Sequence, residues 1–322
     1  MKKKIFAVIA LAMACLMILA GCGGTKMIMG TGGETGTYYA VGGVIGQVVS
    51  DKTNLSITAV STNGSKENIL NIKAGANQLG FVQNDVAAYA YNGKNLFEKE
   101  GKVDNFRIVA ALYSEQVQIV TCDPSIKTVA DLKGKKVSIG AAGSGVYFNA
   151  IDVLAAYGYT EDDIVPQYLA FGDSADGLKD KQIDAAFIVA GAPTTAIADL
   201  ANSTDTYLVA IDDEHRKILM DNCPYYAAAT IPADTYKGIT EDVETVTVKA
   251  TLIVDSKASE KDVYDLTKNI FDNLDTISDR HSKGKEFSTD YGTSILDIPY
   301  HAGAIKYFTE KGYTFDADGF SK

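Results

Sequence analysis

Met27-Ile-Met-Gly-Thr-Gly-Gly-Glu-Thr-Gly-Thr-Tyr-Tyr39 is a glycine-rich turn between a short apolar run and a segment with apolar residues at helical spacing. Val137-Ser-Ile-Gly-Ala-Ala-Gly-Ser-Gly-Val-Tyr147 repeats this order of strand, turn and helix. Such units are typical of α/β folds with mostly parallel sheets. The two stretches therefore predict an α/β protein with two similar lobes, although the repeat by itself only suggests the second lobe, because every α/β unit shares this plan.

Strands and helices alternate along the rest of the chain in the same way. In the first block we predict strands at residues 26–30, 55–60 and 79–83, and helices at 38–50 and 65–74. In the second block we predict strands at residues 117–121, 136–140, 167–171 and 185–190, and helices at 146–158, 174–180 and 193–201. A long alternating strand at 245–254 and a helix from Ser259 follow.

The chain is long enough for two lobes, because about 300 residues exceed the size at which one hydrophobic core stops growing. We predict that residues 22–115 form the first part of lobe 1, residues 116–234 form lobe 2, and residues 235–322 return to lobe 1 with the C-terminal helices. The chain then crosses between the lobes twice. Two crossovers make a hinge around which a cleft can close.

The N-terminus predicts the compartment. Three lysines at positions 2–4 precede an apolar run at 5–20 that is short for a membrane span, and Leu19-Ala-Gly-Cys22 follows. This order resembles the bacterial lipoprotein signal, in which the chain is cut before the cysteine and the thiol carries diacylglycerol. We predict that residues 1–21 are a signal peptide and that Cys22 is lipidated. The chain would then lie outside the cytoplasm, on the outer face of the cytoplasmic membrane or in the periplasm, and its lipid would hold it there. The alternative interpretations of these residues are an ordinary secretory signal and a lone membrane anchor.

Charge and cysteine content exclude some classes of function. The formal net charge of −11 argues against nucleic acid as a partner but leaves an anionic ligand open, because a local site can be positive. Cys122 and Cys223 remain in the mature chain, and two unpaired thiols are favoured over one disulfide. The sequence has no CxxC motif or Cys/His cluster, so we predict no metal and no cofactor.

The glycine-rich turns are candidate ligand sites. In open α/β sheets, ligands bind at the carboxyl ends of strands, where the free N–H groups of the next helix point at them. A dinucleotide motif is excluded by spacing, since G-x-G-x-x-G would need glycine where Thr35 stands. The only alternative is a tight turn without a ligand.

Ser144 is the one candidate nucleophile, and it fits poorly. A G-x-S-x-G elbow would need glycine where Ala142 stands, and none of the three histidines lies beside a glycine-rich turn. We therefore predict a protein that is not an enzyme. An anchored serine hydrolase using Ser144 is kept as the alternative from another class.

Several of these segments together resemble the TAXI family, the solute receptors of tripartite ATP-independent periplasmic (TRAP) transporters. The matching segments lie in family order and cover essentially all of the mature chain. They are Gly30-Thr-Gly-Gly-Glu-Thr-Gly-Thr-Tyr-Tyr39, Leu79-Gly-Phe-Val-Gln-Asn-Asp85, Val129-Ala-Asp-Leu-Lys-Gly-Lys-Lys-Val137, Gly140-Ala-Ala-Gly-Ser-Gly145, Ile183-Asp-Ala-Ala-Phe187 with Gly191-Ala-Pro193, and Ile298-Pro-Tyr-His-Ala-Gly-Ala304. Tyr300, where the family often has leucine before histidine, and Cys122 depart from the pattern.

The resemblance implies the type II periplasmic-binding-protein fold and integral TRAP membrane subunits as partners. It also implies uptake driven by an ion gradient, and a small carboxylate ligand such as glutamate, glutamine or a dicarboxylate. We expect a monomeric receptor that closes around its ligand. A receptor of an ABC transporter is the alternative within binding proteins, because Asp-Leu-Lys-Gly-Lys is shared with many of them.

We predict that ligand-binding residues lie on turns and strand ends of both lobes. No arginine lies in a predicted cleft turn, so backbone amides and hydroxyls would hold a carboxylate, and Asp85, Glu115 or Asp184 could meet an amine. In the first lobe the predicted residues are Thr31, Gly32, Gly33, Thr35, Tyr39, Ser61, Asn63, Ser65, Gln83 and Asp85. In the second lobe they are Gly143, Ser144, Gly145, Val146, Tyr147, Gly191 and Pro193.

Replacement of Cys22 by serine should release the protein from membranes, because a chain without its acyl groups loses the apolar anchor. The measurement is the fraction of protein that stays on washed membranes. Cys15→Ser is the matched control, since Cys15 lies in the predicted signal peptide and should not affect anchoring. Retention of the Cys22→Ser protein on membranes would contradict the lipid anchor.

Overall fold

Ten strands and eleven α-helices make up the structure, a computed structural model that describes residues 24–322. Cys22 and the predicted signal peptide lie outside the described residues. The strands are β1 (Thr25–Gly30), β2 (Leu55–Val60), β3 (Leu79–Gln83), β4 (Phe106–Thr121), β5 (Lys136–Ser138), β6 (Val165–Gln167), β7 (Ala185–Ala190), β8 (Tyr207–Val209), β9 (Ala227–Ile231) and β10 (Val243–Asp255). The helices are α1 (Thr37–Lys52), α2 (Ser65–Lys73), α3 (Asn84–Asn92), α4 (Val146–Ala156), α5 (Phe171–Lys179), α6 (Thr195–Ser203), α7 (Asp213–Asn222), α8 (Glu260–Phe271), α9 (Leu274–Arg280), α10 (Thr289–Gly292) and α11 (Ala302–Glu310).

Two long antiparallel strands, β4 and β10, connect the two halves of the sheet. The strand order is β2-β1-β3-β10-β4-β7-β5-β6, with β8 on β4 and β9 on β10. The second half of β10 pairs with β3 on one side and with the first half of β4 on the other. Residues 116–121 of β4 pair with β7. The register between β4 and β10 shifts twice, between Ala250 and Thr251 and between Leu252 and Ile253. The β1–β2, β1–β3, β5–β6 and β5–β7 pairs are parallel, so the sheet is mixed.

Buried apolar residues fall on two sides of this connection. One cluster contains residues from 27–113 and 250–308, and we call its surroundings the first lobe. Two further clusters contain residues from 117–248, and we call their surroundings the second lobe. The exception is Phe148 of α4, which packs in the first cluster against Tyr89 and Phe97, with ring centroids 5.6 and 6.5 Å away. The predicted lobe limits at residues 115 and 234 stay a prediction.

The α/β prediction is confirmed, and most elements lie where the pattern places them. The strands predicted at 55–60, 79–83 and 185–190 are β2, β3 and β7 in full. Two predictions are wrong. The strand predicted at 117–121 begins eleven residues earlier, at Phe106, because residues 106–113 are buried on both faces and show no period of two. The strand predicted at 167–171 is instead the end of β6 and the beginning of α5 at Phe171.

The thiols of Cys122 and Cys223 are unpaired, as predicted. Between residues 24 and 322, no helix has the length and apolar character needed to cross a bilayer.

Asn68, fully buried in α2, fixes the first glycine-rich turn to the sheet. Its Nδ2 donates to the carbonyl oxygens of Thr31 and Phe81 at 2.6 and 2.8 Å, and its Oδ1 accepts the Thr62 hydroxyl at 2.8 Å. A Cβ on Gly30 would lie 2.3 Å from this Oδ1, so glycine is needed there for the close approach. The amide therefore holds together the carboxyl ends of β1, β2 and β3.

Asn68→Ala should lower the free energy of unfolding by about 1–3 kcal/mol, because it removes one donor from each of two buried carbonyl groups. Urea denaturation followed by circular dichroism measures the loss. Asn202→Ala, at an exposed position of α6, is the control and should change stability by no more than about 0.5 kcal/mol. Equal stabilities of the two variants would show that Asn68 does not hold the turn.

Candidate functional site

A cavity of about 550 Å³, including its opening to solvent, lies between the two lobes. The cavity is bordered by the carboxyl ends of the strands and by the turns that follow them. Its lining residues are Gly32, Gly33, Gly36, Thr37, Tyr38, Thr62, Asn63, Gly64, Ser65, Gln83, Glu115, Ala141, Ser144, Gly145, Val146, Ala170, Phe171, Val189 and Ala190.

Five helices begin at this cavity. The N-cap residues of α1, α2, α3, α4 and α5 all line it, and no side chain caps any of these five helices in the described part of the chain. The five N-cap residues are Gly36, Gly64, Gln83, Gly145 and Ala170. Of the other helices, α7, α8, α10 and α11 are each capped by a side chain, whereas α6 and α9 are not. Uncapped N–H groups and the positive ends of helix dipoles favour an anion at this position.

The glycine-rich turns of the two lobes meet across the cavity. In one contact, the carbonyl oxygen of Gly143 accepts hydrogen bonds from the N–H groups of Lys66 and Glu67, at 3.1 and 3.2 Å, which uses two of the N–H groups of α2. In another, the Thr37 hydroxyl donates to the carbonyl oxygen of Gly191 at 3.0 Å. Ligand placed between the turns would therefore contact both lobes.

Two buried polar atoms at the cavity have no partner within the described residues. They are Oε1 of Gln83 and Oγ of Ser144, and both residues line the cavity. Buried polar groups are nearly always hydrogen-bonded in folded proteins, so unpartnered ones at a cavity suggest positions that a ligand satisfies. The amide orientation of Gln83 is fixed from behind, because its Nε2 donates to Asn149 Oδ1 at 2.8 Å. Gln83 therefore offers an acceptor to the cavity.

Glu115 is the only lining residue with a carboxyl group. It is buried, and its Oε2 accepts a hydrogen bond of 2.6 Å from the Tyr38 hydroxyl. Burial raises the pKa of Glu115 to about 8, while the bond from Tyr38 opposes that rise. Tyr38 is held in turn by stacking on Phe81, with ring centroids 5.0 Å apart. Near neutral pH the carboxyl is therefore largely protonated unless a cationic group meets it.

Eight of the predicted ligand residues line the cavity, and nine do not. Those that line it are Gly32, Gly33, Asn63, Ser65, Gln83, Ser144, Gly145 and Val146. The side chains of three of the other nine form hydrogen bonds within their own lobe: Thr31 donates to Val60, Ser61 to Gly32 and Tyr147 to Glu161. The carbonyl oxygens of Gly143, Gly191 and Thr35 accept hydrogen bonds from the opposite lobe. Asp85 bonds to Asn149 behind Gln83, and Tyr39 and Pro193 lie outside the lining. Whether any of the seventeen binds a ligand stays a prediction.

Sequence reasoning missed part of the lining. Tyr38 faces the cavity and its neighbour Tyr39 does not. Which of the two faces it depends on how α1 is rotated about its axis against the sheet. Ala170 and Phe171 were missed because their segment was predicted as a strand. Glu115 was noted only as one of three acids that could meet an amine; of the other two, Asp184 instead accepts the N–H of Lys136 at 2.7 Å.

Solved bacterial proteins with the same architecture include two that bind ligands. The alkanesulfonate-binding protein of Xanthomonas axonopodis pv. citri, bound to MOPS, is 14% identical over 89% of this chain and 91% of its own, with a TM-score of 0.51. A protein of Bordetella bronchiseptica RB50 is 18% identical over 92% and 84%, with a TM-score of 0.53. The ligand-binding component of an ABC-type import system of Staphylococcus aureus is 11% identical over 89% and 90%, with a TM-score of 0.50.

These similarities confirm the type II periplasmic-binding-protein fold. The sequence itself matches one family model over residues 29–312, which includes both glycine-rich turns and all five helices that begin at the cavity. The chain belongs to the NMT1-like family.

Proposed function

We propose that this protein is an extracytoplasmic solute-binding receptor that captures a small carboxylate between its lobes and delivers it to a membrane transporter. The observation that carries the proposal is the convergence of five helix N-termini without side-chain caps on one cavity. An amino acid such as glutamate or glutamine, or a dicarboxylate, fits this chemistry. The fold and the family support a binding protein.

The carboxylate of the ligand would be held without an arginine. None of the residues that line the cavity is basic, so the N–H groups at the helix starts and the hydroxyl of Ser144 would have to stabilise the negative charge. Charge-assisted hydrogen bonds of this kind are stronger than neutral ones, and several of them can replace one bidentate arginine. A sugar would instead favour aromatic platforms, and the chain has no tryptophan.

Two acceptor groups in the lining suit a ligand that also donates hydrogen bonds. Gln83 offers Oε1, and Glu115 offers a carboxyl group that is an acceptor when it is ionised. An ammonium group beside Glu115 would favour the ionised form and lower its pKa. An amino acid would therefore bind with Glu115 ionised, whereas a dicarboxylate would bind with Glu115 protonated, as it largely is near neutral pH.

Closure around the ligand is the expected mechanism. A ligand that contacts both lobes only when they are together shifts the population toward the closed form. Strands β4 and β10 run through both lobes and carry two register shifts where they pair, so they are the natural hinge. We also propose a lobe limit near residue 115, within β4; the core clusters support a return to the first lobe near residue 248, within β10, better than the predicted limit at 234.

Two classes of transporter are candidates for the partner. The structures with this fold favour an ABC transporter, because one of them is the ligand-binding component of an ABC-type import system. The TRAP class is supported by the motifs of the sequence alone. Uptake by vesicles that contain the membrane subunits distinguishes the two, since an ABC partner requires ATP and a TRAP partner requires an ion gradient.

The alternative of a serine hydrolase has little support in the site. No histidine lines the cavity. The ring of His215 contacts Asp212, and those of His281 and His301 accept hydrogen bonds from the N–H groups at their own helix starts. Ser144 therefore has no histidine beside it to act as a general base.

A panel of small molecules should give stabilisation by carboxylates only. We expect thermal shift and calorimetry to detect binding of L-glutamate, L-glutamine, 2-oxoglutarate or succinate, and no binding of maltose or inorganic phosphate. A preference for L-glutamate over 2-oxoglutarate that is lost in Glu115→Gln would support the amine at Glu115. Stabilisation by sugars alone would refute the carboxylate.

Gly145→Ala should weaken binding of the best carboxylate by roughly tenfold or more. The new Cβ would lie 1.8 Å from Gln83 Oε1 and 2.9 Å from Ser65 Oγ, so the second lobe could not approach the first as closely. Gly33→Ala is the matched control: Gly33 also lines the cavity, yet a Cβ there would meet nothing within 4 Å. The affinities of both variants are measured by calorimetry, and circular dichroism checks that they fold. Equal affinities would place the ligand elsewhere.

A further inference from the structure

A second contact between the lobes lies behind the cavity, around Asp85 at the start of α3. Asp85 is fully buried, and its Oδ2 accepts a hydrogen bond of 3.0 Å from Asn149 Nδ2 of α4 in the second lobe. Its Oδ1 makes no hydrogen bond of normal geometry among the described residues. Burial raises the pKa of the carboxyl, and the N–H groups of Asp85 and Val86 at the start of α3 lower that pKa without offsetting the burial. A buried carboxylate with one oxygen unsatisfied is unfavourable, whereas a protonated carboxyl is tolerated.

Asn149 connects this contact to the cavity. Its Nδ2 also donates to the Tyr226 hydroxyl at 2.8 Å, and that hydroxyl donates to Asp152 Oδ2 at 2.9 Å. Its Oδ1 accepts from Gln83 Nε2. Asn149 is thus a positioning residue that turns Gln83 Oε1 toward the cavity.

The titratable groups that face Asp85 are acids, phenols and a thiol. The strongest electrostatic influence on Asp85 comes from Asp152, across the lobe contact, and the main influences on its pKa include no basic side chain. Lys283 acts on Glu115, which lies near Asp85, and lowers the Glu115 pKa. The groups that Asp85 influences in return come from α3, β4 and the segment after α7, and they are Glu115, Tyr89, Tyr225, Tyr226 and Cys223.

We propose that this contact is a proton-dependent latch: the lobes close with the Asp85 carboxyl protonated, so raising the pH opens the cleft and weakens ligand binding. Closure places Asp85 near Asp152, with the Asn149 amide and the Tyr226 hydroxyl between them, and separation of the lobes removes both Asn149 and Asp152 from Asp85. The latch rests on the proposed function, since it acts on the closure of a ligand-binding cleft.

The direction of the pH effect follows from linkage. In the closed form, burial and then repulsion by Asp152 raise the pKa of Asp85 to about 7, and burial raises the pKa of Asp152 to about 6. In separated lobes a solvated aspartate has its ordinary pKa of about 4. Between these values the closed form holds more protons than the open form. Closure therefore weakens as the pH rises through this window, and the effect levels off above about 7.

The test compares wild type with Asp85→Asn, whose side chain is neutral at every pH. Small-angle scattering without ligand should give a larger radius of gyration at about pH 8 than at about pH 5.5 for wild type, and a smaller increase for Asp85→Asn, in which Asp152 and Glu115 still titrate. The affinity of wild type for L-glutamate should fall roughly tenfold or more over this range, and that of Asp85→Asn should fall several-fold less. At the higher pH, Asp85→Asn should bind more tightly than wild type. Asp104→Asn, at an exposed position of the first lobe, is the control and should keep the wild-type response.

Asp152→Asn keeps the test decisive should Asp85→Asn not fold. It removes the repulsion across the contact, so its loss of affinity between the two pH values should be smaller than that of wild type. A wild-type radius that does not change with pH, or a variant that keeps the full wild-type response, would overturn the latch. If L-glutamate does not bind but the radius still depends on pH and on Asp85, the ligand in the proposed function is wrong and the latch stands.

Discussion

Five helices begin at one cavity with no side chain to cap them, and much of the surrounding structure follows from this constraint. A side-chain cap is typically worth about 1 kcal/mol, so leaving five helices uncapped lowers the stability of the protein unless something else satisfies the N–H groups. At α2 the satisfying group is a carbonyl oxygen of the other lobe, that of Gly143. At the other helices we infer that ligand takes this role. The same missing side chains that leave the helix starts open also let the two lobes come into contact, as Gly145 against Gln83 illustrates.

Two buried acidic side chains lie close to these positive helix ends. Glu115 and Asp85 are carboxyl groups with pKa values of about 8 and about 7, because burial disfavours their charged forms. Placed in water, both would be ionised at neutral pH and would repel an anion. Burial turns them into groups that are neutral until a cation meets them. A net negative protein can therefore hold an anion, provided that the negative groups near the site are kept protonated or are paired with the ligand.

The sequence was sufficient for the fold class and for the position of the two main turns, because strand, glycine-rich turn and helix are local patterns. It could not decide which of two adjacent tyrosines, Tyr38 or Tyr39, faces the cavity, since that depends on the phase of one helix against the sheet. It also missed the start of β4 at Phe106, because a strand buried on both faces has no alternation. The wrong strand at 167–171 concealed a fifth helix start. Contacts between the lobes, such as that of Asn149 with Asp85, join residues 64 positions apart, so no local spacing in the sequence predicts them.

Helix α4 shows why the two lobes should be considered together. By chain order and by most of its packing it belongs to the second lobe, yet Phe148 lies in the core of the first lobe and Asn149 bonds to two residues of it. Its first turn also supplies the uncapped N–H groups on the second-lobe side of the cavity. One helix thus carries an apolar contact, a polar contact and part of the proposed ligand site in its first turn. A ligand that binds at the N-terminus of α4 fixes the same helix whose side chains join the lobes. Binding and closure are therefore coupled through one rigid element, and a longer chain of contacts is not required.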